Sequence, residues 1–364
     1  MAAALPAALP TRVLVVDDSV VVRRMVGRAI EADPAMELAG VAANGSLALA
    51  KLGSVRPDIV VLDLEMPVMD GFETLAAIRR THPKLPVVVF SHLTARGAQA
   101  TLDAMALGAT AFALKPNTEL TTMFDITGAG GDGAGIGVEL LPLIRALTAG
   151  ATGVAPAPVR RSPAHPSPSS AARVDVVAIG VSTGGPKALD VVLQELPASL
   201  AAPVLIVQHM PTIFTRLLAE RLDSRSALTV VEAEEGMAVR AGSVFVAPGG
   251  RHMGVERSDG QARIALSDGP PENGCRPAAD VLFRSTVEVF GGRVLGVVLT
   301  GMGRDGLRGS EQVRAAGGAV VAQTPASSVV ASMPGAVIDA GLADAVIGLD
   351  GVAAELLRRV NRGR

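Results

Sequence analysis

Three residue types that together can cleave an acyl bond stand at chain positions with the same local character. Residues 174–181 are apolar apart from Asp175 and Gly180, and they run into Ser182-Thr183-Gly184-Gly185-Pro186, a strand that breaks sharply into a helix with a hydroxyl at the break. A serine held there projects from the sheet beside glycines that admit a substrate, and the N–H groups of the helix N-terminus can face an anion. The plainer reading is that Ser182 or Thr183 caps the helix, with Pro186 in its first turn. A nucleophilic serine needs a base. Of five histidines, His165 falls in a Pro/Ala/Ser-rich stretch and His82 and His92 fall in the N-terminal third, which leaves His209 and His252. His209 ends the apolar run 204–208 and so shares a sheet edge with Ser182, whereas His252 follows a Pro-Gly-Gly-Arg turn. Asp305, in the glycine-rich segment after residues 294–299, can take the second ring N–H of the imidazole; Asp268 and Asp280 are alternatives. The glycines flanking Met302 let its amide serve as an oxyanion donor, with Thr183 in support at the nucleophile turn.

A second set of groups lies in the N-terminal third. Asp17 and Asp18 follow a first apolar run, Asp63 a third, Ser91 a fourth and Lys115 a fifth. These positions are the carboxyl ends of parallel strands, which line the ligand crevice of an open doubly wound sheet. Three converging carboxylates repel one another without a cation, and a hard, oxygen-liganded Mg²⁺ relieves them while leaving room for a phosphoryl group. A lysine ammonium and a serine hydroxyl supply the other contacts to such a group. A strand-end turn explains one acid; it does not explain four strand ends that each carry a compatible group.

The elements that must position these groups follow from patterning. Strands are expected at residues 13–16, 59–62, 87–90 and 111–114, with a weaker one at 38–42, alternating with helical stretches as in βαβ units. From 174 onward the alternation resumes, with strands near 204–208, 243–247, 294–299 and 319–322. Residues 253–257 and 262–266 flank Ser258-Asp259-Gly260-Gln261, a hairpin signal inside a parallel pattern. The expected fold is α/β throughout: a five-stranded, doubly wound, flavodoxin-like parallel domain over residues 11–126, a Gly/Pro/Ala-rich linker over 127–173 with one helical stretch at 138–147, and a mostly parallel sheet domain with an antiparallel hairpin over 174–362.

Composition bounds the partners. With 33 basic and 35 acidic residues the net charge is −2, which argues against nucleic acid or an anionic membrane as the main partner, and with Trp and Tyr absent and only eight Phe, recognition by aromatic stacking on bases is disfavoured. One cysteine, Cys275, cannot form an internal disulfide and fits a reducing cytoplasm; no apolar run is long enough to insert in a membrane. A dinucleotide site at Gly180, Gly184 and Gly185 lacks the Gly-x-Gly-x-x-Gly spacing and the acid that should end the next strand.

Residues 11–125, through Asp17-Asp18, Asp63-Leu-Glu-Met-Pro, Ser91 and Lys115-Pro116, resemble the receiver domain of bacterial response regulators. The segments around Ser182, Gln208-His209-Met210-Pro211, residues 248–252, residues 275–283 and Thr300-Gly-Met302-Gly-Arg-Asp305-Gly resemble the chemotaxis protein-glutamate methylesterase family, CheB. The order Ser, His, Asp differs from that of α/β-hydrolases. The resemblance implies that Asp63 accepts a phosphoryl group from a sensor histidine kinase, that Asp17 and Asp18 help hold Mg²⁺, and that Ser91 and Phe112 shift on phosphorylation. It further implies a hydrolase that demethylates glutamate methyl esters and deamidates glutamines on methyl-accepting chemotaxis receptors, with no cofactor for the ester step and with the receiver occluding the site until Asp63 is modified. Ala331 and Ser332 stand where that family more often has an aromatic residue and a glycine. A competing expectation is a response regulator whose C-terminal domain acts by docking without catalysis, and a third is the same esterase in a pathway other than chemotaxis.

Overall fold

The computed structural model describes residues 9–116, 134–149 and 173–362. The chain divides into two compact units, each with its own sheet. In the first, β1 (Thr11–Val16), β2 (Met36–Ala42), β3 (Ile59–Leu62), β4 (Val87–Ser91) and β5 (Ala111–Leu114) form a parallel sheet in the order β2-β1-β3-β4-β5. The reversal of strand order beside β1 opens the crevice at which such sheets bind ligands. Val13, Val15, Val61 and Val88 are buried with helix residues Val26 and Ile30 on one face, and Leu14, Val60, Leu62 and Val89 with Leu75 and Ile78 on the other. Burial on both faces is why these strands read as continuous β-branched runs.

The helix Ala134–Thr148 lies inside the stretch that composition marks as linker, yet it packs on the first sheet. Leu140, Leu143 and Ile144 fall at helical spacing and join the core of Val13 and Val88. Arg145 pairs with the buried Asp33, and Thr148 meets Thr11, which fixes the last turn. The rest of the expected linker, residues 127–133 and 150–172, lies outside the described residues, as does the end of the expected receiver from 117 to 126.

In the second unit seven parallel strands run in the order β14-β13-β12-β6-β7-β9-β8, from β6 (Val176–Val181), β7 (Val204–Gln208), β8 (Thr229–Glu232), β9 (Ser243–Val246), β12 (Val294–Val298), β13 (Ala319–Gln323) and β14 (Ala345–Ile347). The expected hairpin is β10 (His252–Ser258) with β11 (Gln261–Ser267), in register from His252↔Ser267 to Ser258↔Gln261. Asp259 and Gly260 turn it with φ of 51° and 77°, the left-handed pair a two-residue type I′ turn requires. The edge strands β8 and β14 escape sequence reading because each is short and only partly buried, so neither shows a sustained apolar run.

The helix Ala279–Phe290 crosses the centre of this sheet, and its fully buried Phe283 fills space left by glycines. A Cβ at Gly309 would lie 2.6 Å from Phe283 Cβ, and one at Gly180 would lie 2.6 Å from Ala279 Cβ. A side chain at Gly180 would push this helix away from β6, and one at Gly309 would push it away from the helix Leu307–Ala315.

Candidate active site

The three central strands β12, β6 and β7 bring the candidate residues of the second unit to one edge. Val181 pairs with Gln208 and Val298 with Gly180, so the next residues along each chain emerge side by side. His209 N donates to Val181 O at 3.2 Å and Ser182 N to Thr300 O at 3.0 Å, which extends the ladder one step past each strand end. Backbone pairing alone thus places Ser182 next to His209 and next to the turn that carries Met302 and Asp305. Gln208 Nε2 donates to Ser182 O at 3.0 Å, and Thr300 Oγ1 donates to Thr183 O at 2.8 Å, pinning the Ser182 turn from both sides. A Cβ at Gly301 would stand 2.8 Å from Ser182 Cβ, so the close approach of the two turns depends on that glycine.

The helix Gly185–Gln194 is not capped by a side chain. Its N-cap is Gly184 at φ 81°, with Pro186 in the first turn, so Ser182 and Thr183 are not spent as caps. Among the described residues neither the Ser182 hydroxyl nor the Met302 N–H has a hydrogen-bond partner. Ser332 Oγ bridges the Met302 turn, accepting from Gly303 N at 3.0 Å and donating to Gly301 O at 3.1 Å, while Gly301 N donates to Val330 O at 2.9 Å and Gly301 O accepts from Met333 N at 3.0 Å.

His209 and Asp305 are joined, Nε2 to Oδ2, at 2.7 Å. Asp305 is buried, and its carboxylate is saturated with donors. Oδ2 also accepts from Ala279 N at 2.6 Å, and Oδ1 accepts from Asp280 N at 3.0 Å, Gly306 N at 3.0 Å and Asn273 Nδ2 at 3.1 Å. Two of these donors are the free amides at the start of the helix Ala279–Phe290, the ordinary seat of an anion. Burial pushes Asp305 up, but His209 and the backbone donors outweigh it and hold the carboxyl below its usual range. Burial alone would lower His209; the Asp305 carboxylate, with Cys275 on the other side, raises the ring to about 9. With Nε2 committed to Asp305, Nδ1 is the nitrogen left for proton transfer, and it faces Cys275 Sγ at 3.7 Å.

The other histidine and acids that the sequence offers do not join this cluster. His252 is buried and donates from Nε2 to Pro270 O at 3.0 Å. Asp268 is 73% exposed and pairs with Arg251. Asp280 is buried behind Asp305, its oxygens accepting from Gly309 N at 2.7 Å and Asn273 Nδ2 at 2.9 Å. Sequence reasoning does not single out Asn273 or Cys275 as site residues; the Asn273-Gly274 dipeptide, a hairpin-turn signal, is the cue that marks them.

The first unit brings its residues together as well. Lys115 Nζ lies 2.8 Å from Asp17 Oδ2 and 2.7 Å from Asp63 Oδ2, and all three groups are buried. Carboxylate oxygens of Asp17, Asp18 and Asp63 lie within 4.8 Å of one another, with Asp18 reaching solvent. One ammonium leaves this triad net negative, and an all-oxygen set with an open side suits a hard divalent cation. Burial raises Asp63 above the usual carboxyl range, with Lys115 opposing it and Asp17 adding to it. Glycine at 71 lets the following helix pass the site, since a Cβ there would sit 2.2 Å from Asp63 O. Ser91 is buried at the end of β4 with its hydroxyl donating to Gly97 O at 3.3 Å, and Phe112 is half-buried in β5.

Comparison with known proteins gives the family of each unit. The CheB methylesterase model matches residues 177–356 and the response regulator receiver domain model residues 13–125. A protein-glutamate methylesterase/protein-glutamine glutaminase from Trichodesmium erythraeum is 44% identical over 96% of this chain and 99% of its own. The chain belongs to this methylesterase/glutaminase family. A member from a Nocardioides species is 46% identical over 97% of this chain and 96% of its own length. The Thermotoga maritima CheB methylesterase catalytic domain superposes with a TM-score of 0.50 at 41% identity, covering 51% of this chain and 98% of that domain. Fold, receiver and methylesterase domain are therefore those the motifs indicated. Among the described residues no helix is long and apolar enough to cross a membrane.

Proposed function

We propose that this methylesterase-family chain demethylates glutamate γ-methyl esters, and deamidates glutamines, on chemotaxis receptors by a Ser182–His209–Asp305 mechanism switched on by phosphorylation of Asp63. The observation that carries the reading is the His209–Asp305 pair at 2.7 Å beside an uncapped, unpartnered Ser182. Ser182 Oγ attacks the ester carbonyl carbon while His209 Nδ1 takes its proton. The negative oxygen of the tetrahedral intermediate is met by the Met302 N–H, with Thr183 at the nucleophile turn in support. Collapse breaks the C–O bond to the methoxy group, which leaves as methanol with the proton from His209, and Ser182 is acylated. Water then attacks the acyl group, His209 takes its proton, and the glutamate carboxylate departs as Ser182 recovers its hydrogen. Asp305 keeps the ring oriented and stabilises the imidazolium in both halves. For a glutamine the leaving group is ammonia. The ester step uses protein groups alone in this reading.

In the receiver, Asp17, Asp18 and Asp63 would hold Mg²⁺, which supplies positive charge at an incoming phosphoryl group. Lys115 contributes a fixed ammonium there, and Asp63 is the acceptor from a sensor histidine kinase. Ser91 and Phe112 transmit the change, and the esterase is held inactive until it occurs. The net charge of −2 supports a protein whose main partner is neither nucleic acid nor an anionic membrane, and the single Cys275 supports a reducing cytoplasm. Methanol release from methylated receptor membranes tests the chemistry: Ser182→Ala should abolish it, and full activity in that variant refutes the assignment. An Asp63→Asn protein that still responds to a small-molecule phosphodonor refutes the switch. If the C-terminal domain only docks, no methanol appears under any condition.

A further inference from the structure

Residues 272–275 form a two-residue hairpin that no functional assignment above uses. Glu272 N donates to Cys275 O at 3.0 Å and Cys275 N to Glu272 O at 2.9 Å, and between them Asn273 and Gly274 have φ of 55° and 76°. Both central residues are left-handed, the type I′ geometry for which Asn-Gly is the preferred pair. The turn is anchored to the helix Ala279–Phe290 by a two-pronged Arg284–Glu272 pair at 3.0 and 2.7 Å. The same helix seats Asp305 at its N-terminus, so turn and carboxylate share one rigid support.

From this turn Asn273 Nδ2 reaches two buried carboxylates at once, Asp280 Oδ2 at 2.9 Å and Asp305 Oδ1 at 3.1 Å. A primary amide has two N–H bonds on one nitrogen, so a single neutral group satisfies both without adding charge. Both Asp280 oxygens accept, one from Gly309 N and one from Asn273, which suits an ionised carboxylate standing behind Asp305. With Oδ1 of Asp305 held by Asn273 and two backbone amides, Oδ2 is the oxygen turned to His209. We propose that Asn273 is a positioning residue of the esterase, an amide clip that joins Asp280 to Asp305 and fixes which Asp305 oxygen faces His209. The inference deepens, and rests on, the Ser182–His209–Asp305 reading.

Asn273→Gly tests it, because glycine keeps the left-handed turn and removes only the amide. Asn273→Asp is the second variant: aspartate also tolerates that turn but replaces a donor between two carboxylates with a third anion. The titratable groups around His209 are Asp305 and Cys275, with Asp280 and the Glu272–Arg284 pair behind them. Losing a donor leaves Asp305 a stronger partner for the imidazolium proton, so the acid limb of the pH–rate profile should move to higher pH. Removal of one hydrogen bond to a charged group corresponds to a fall in kcat of about tenfold to a hundredfold. Rates are measured as methanol release from a γ-methyl glutamyl ester and as fluorophosphonate labelling of Ser182, each per folded enzyme after a thermal melt. Lower kcat at unchanged KM with an upward limb in Asn273→Gly, and a larger effect in Asn273→Asp, supports the clip. Wild-type kcat, or a change in KM alone with the limb in place, overturns it. A Ser182→Ala protein that still releases methanol overturns the underlying reading and the clip together; normal Asn273 variants of an enzyme that Ser182→Ala does silence overturn only the clip.

Discussion

Replacing Asp305 with asparagine isolates the electrostatics of the site. Three donors hold Oδ1, from Asp280 N, Gly306 N and Asn273 Nδ2, so an asparagine must keep its oxygen there and turn its NH₂ toward His209 and Ala279 N. The amide then donates to His209 Nε2, which pushes the ring proton onto Nδ1, where a lone pair is needed to accept from Ser182. By analogy with serine proteases, this wrong tautomer should lower kcat by about 10³–10⁴-fold. The ring also loses the Asp305 charge, which together with Cys275 raises it to about 9, so its pKa should fall toward the ordinary 6.5. The full elevation corresponds to about 3 kcal/mol of imidazolium stabilisation, of which the variant loses the part Asp305 supplies. In the wild-type enzyme kcat/KM should climb tenfold per pH unit until near 9, and in Asp305→Asn the residual rate should level off at clearly lower pH. The assay is methanol release from pH 5.5 to 10, with ring protons followed by NMR. An acid limb still near 9 in the variant, or a loss under tenfold, would refute this account of how His209 is charged.

Four further outcomes follow from the same geometry. His209 is raised on folding, so its stabilising contribution is complete below pH 6.5 and lost as pH rises through about 9; urea melts should show up to ~3 kcal/mol lost over that window, and His209→Gln should flatten the profile. Ser332→Ala removes both side-chain hydrogen bonds to the Met302 turn and should lower kcat about tenfold with KM little changed, read by steady-state kinetics. Phe283→Ala should cost about 3–5 kcal/mol in a denaturant melt, because the glycines around that ring cannot refill the space. Asp63→Asn should abolish incorporation of phosphate from a phosphodonor, while Ser182→Ala should leave it intact.

Much of the architecture is legible in the amino-acid sequence. The β-branched runs ending at Val16, Leu62 and Gln208 are buried on both faces, and such strands announce themselves whatever surrounds them. Strand ends in a parallel sheet converge, so Asp17, Asp63 and Lys115, and likewise Ser182 and His209, group together from position alone. Other features depend on tertiary contacts that leave no local pattern. The helix Ala134–Thr148 sits between stretches of linker composition, and only its packing on Val13 and Val88 ties it to the receiver. The edge strands β8 and β14 are too short and too exposed to carry a period. Asp280 competes with Asp305 on sequence grounds because no local pattern tells which acid meets a histidine; in the fold Asn273 and Asp305 stand between Asp280 and His209. Cys275 speaks only of redox compartment in the sequence, and its approach to His209 Nδ1 follows from a hairpin whose position on the helix Ala279–Phe290 no single segment encodes.

The central claim is that Ser182 is a nucleophile activated by His209. A serine-directed fluorophosphonate with peptide mapping by mass spectrometry addresses it in one measurement. Covalent modification should fall on Ser182, rise in rate with pH toward about 9, and vanish in Ser182→Ala and His209→Gln. Labelling that spares Ser182, or that proceeds at the wild-type rate in His209→Gln, would contradict the account.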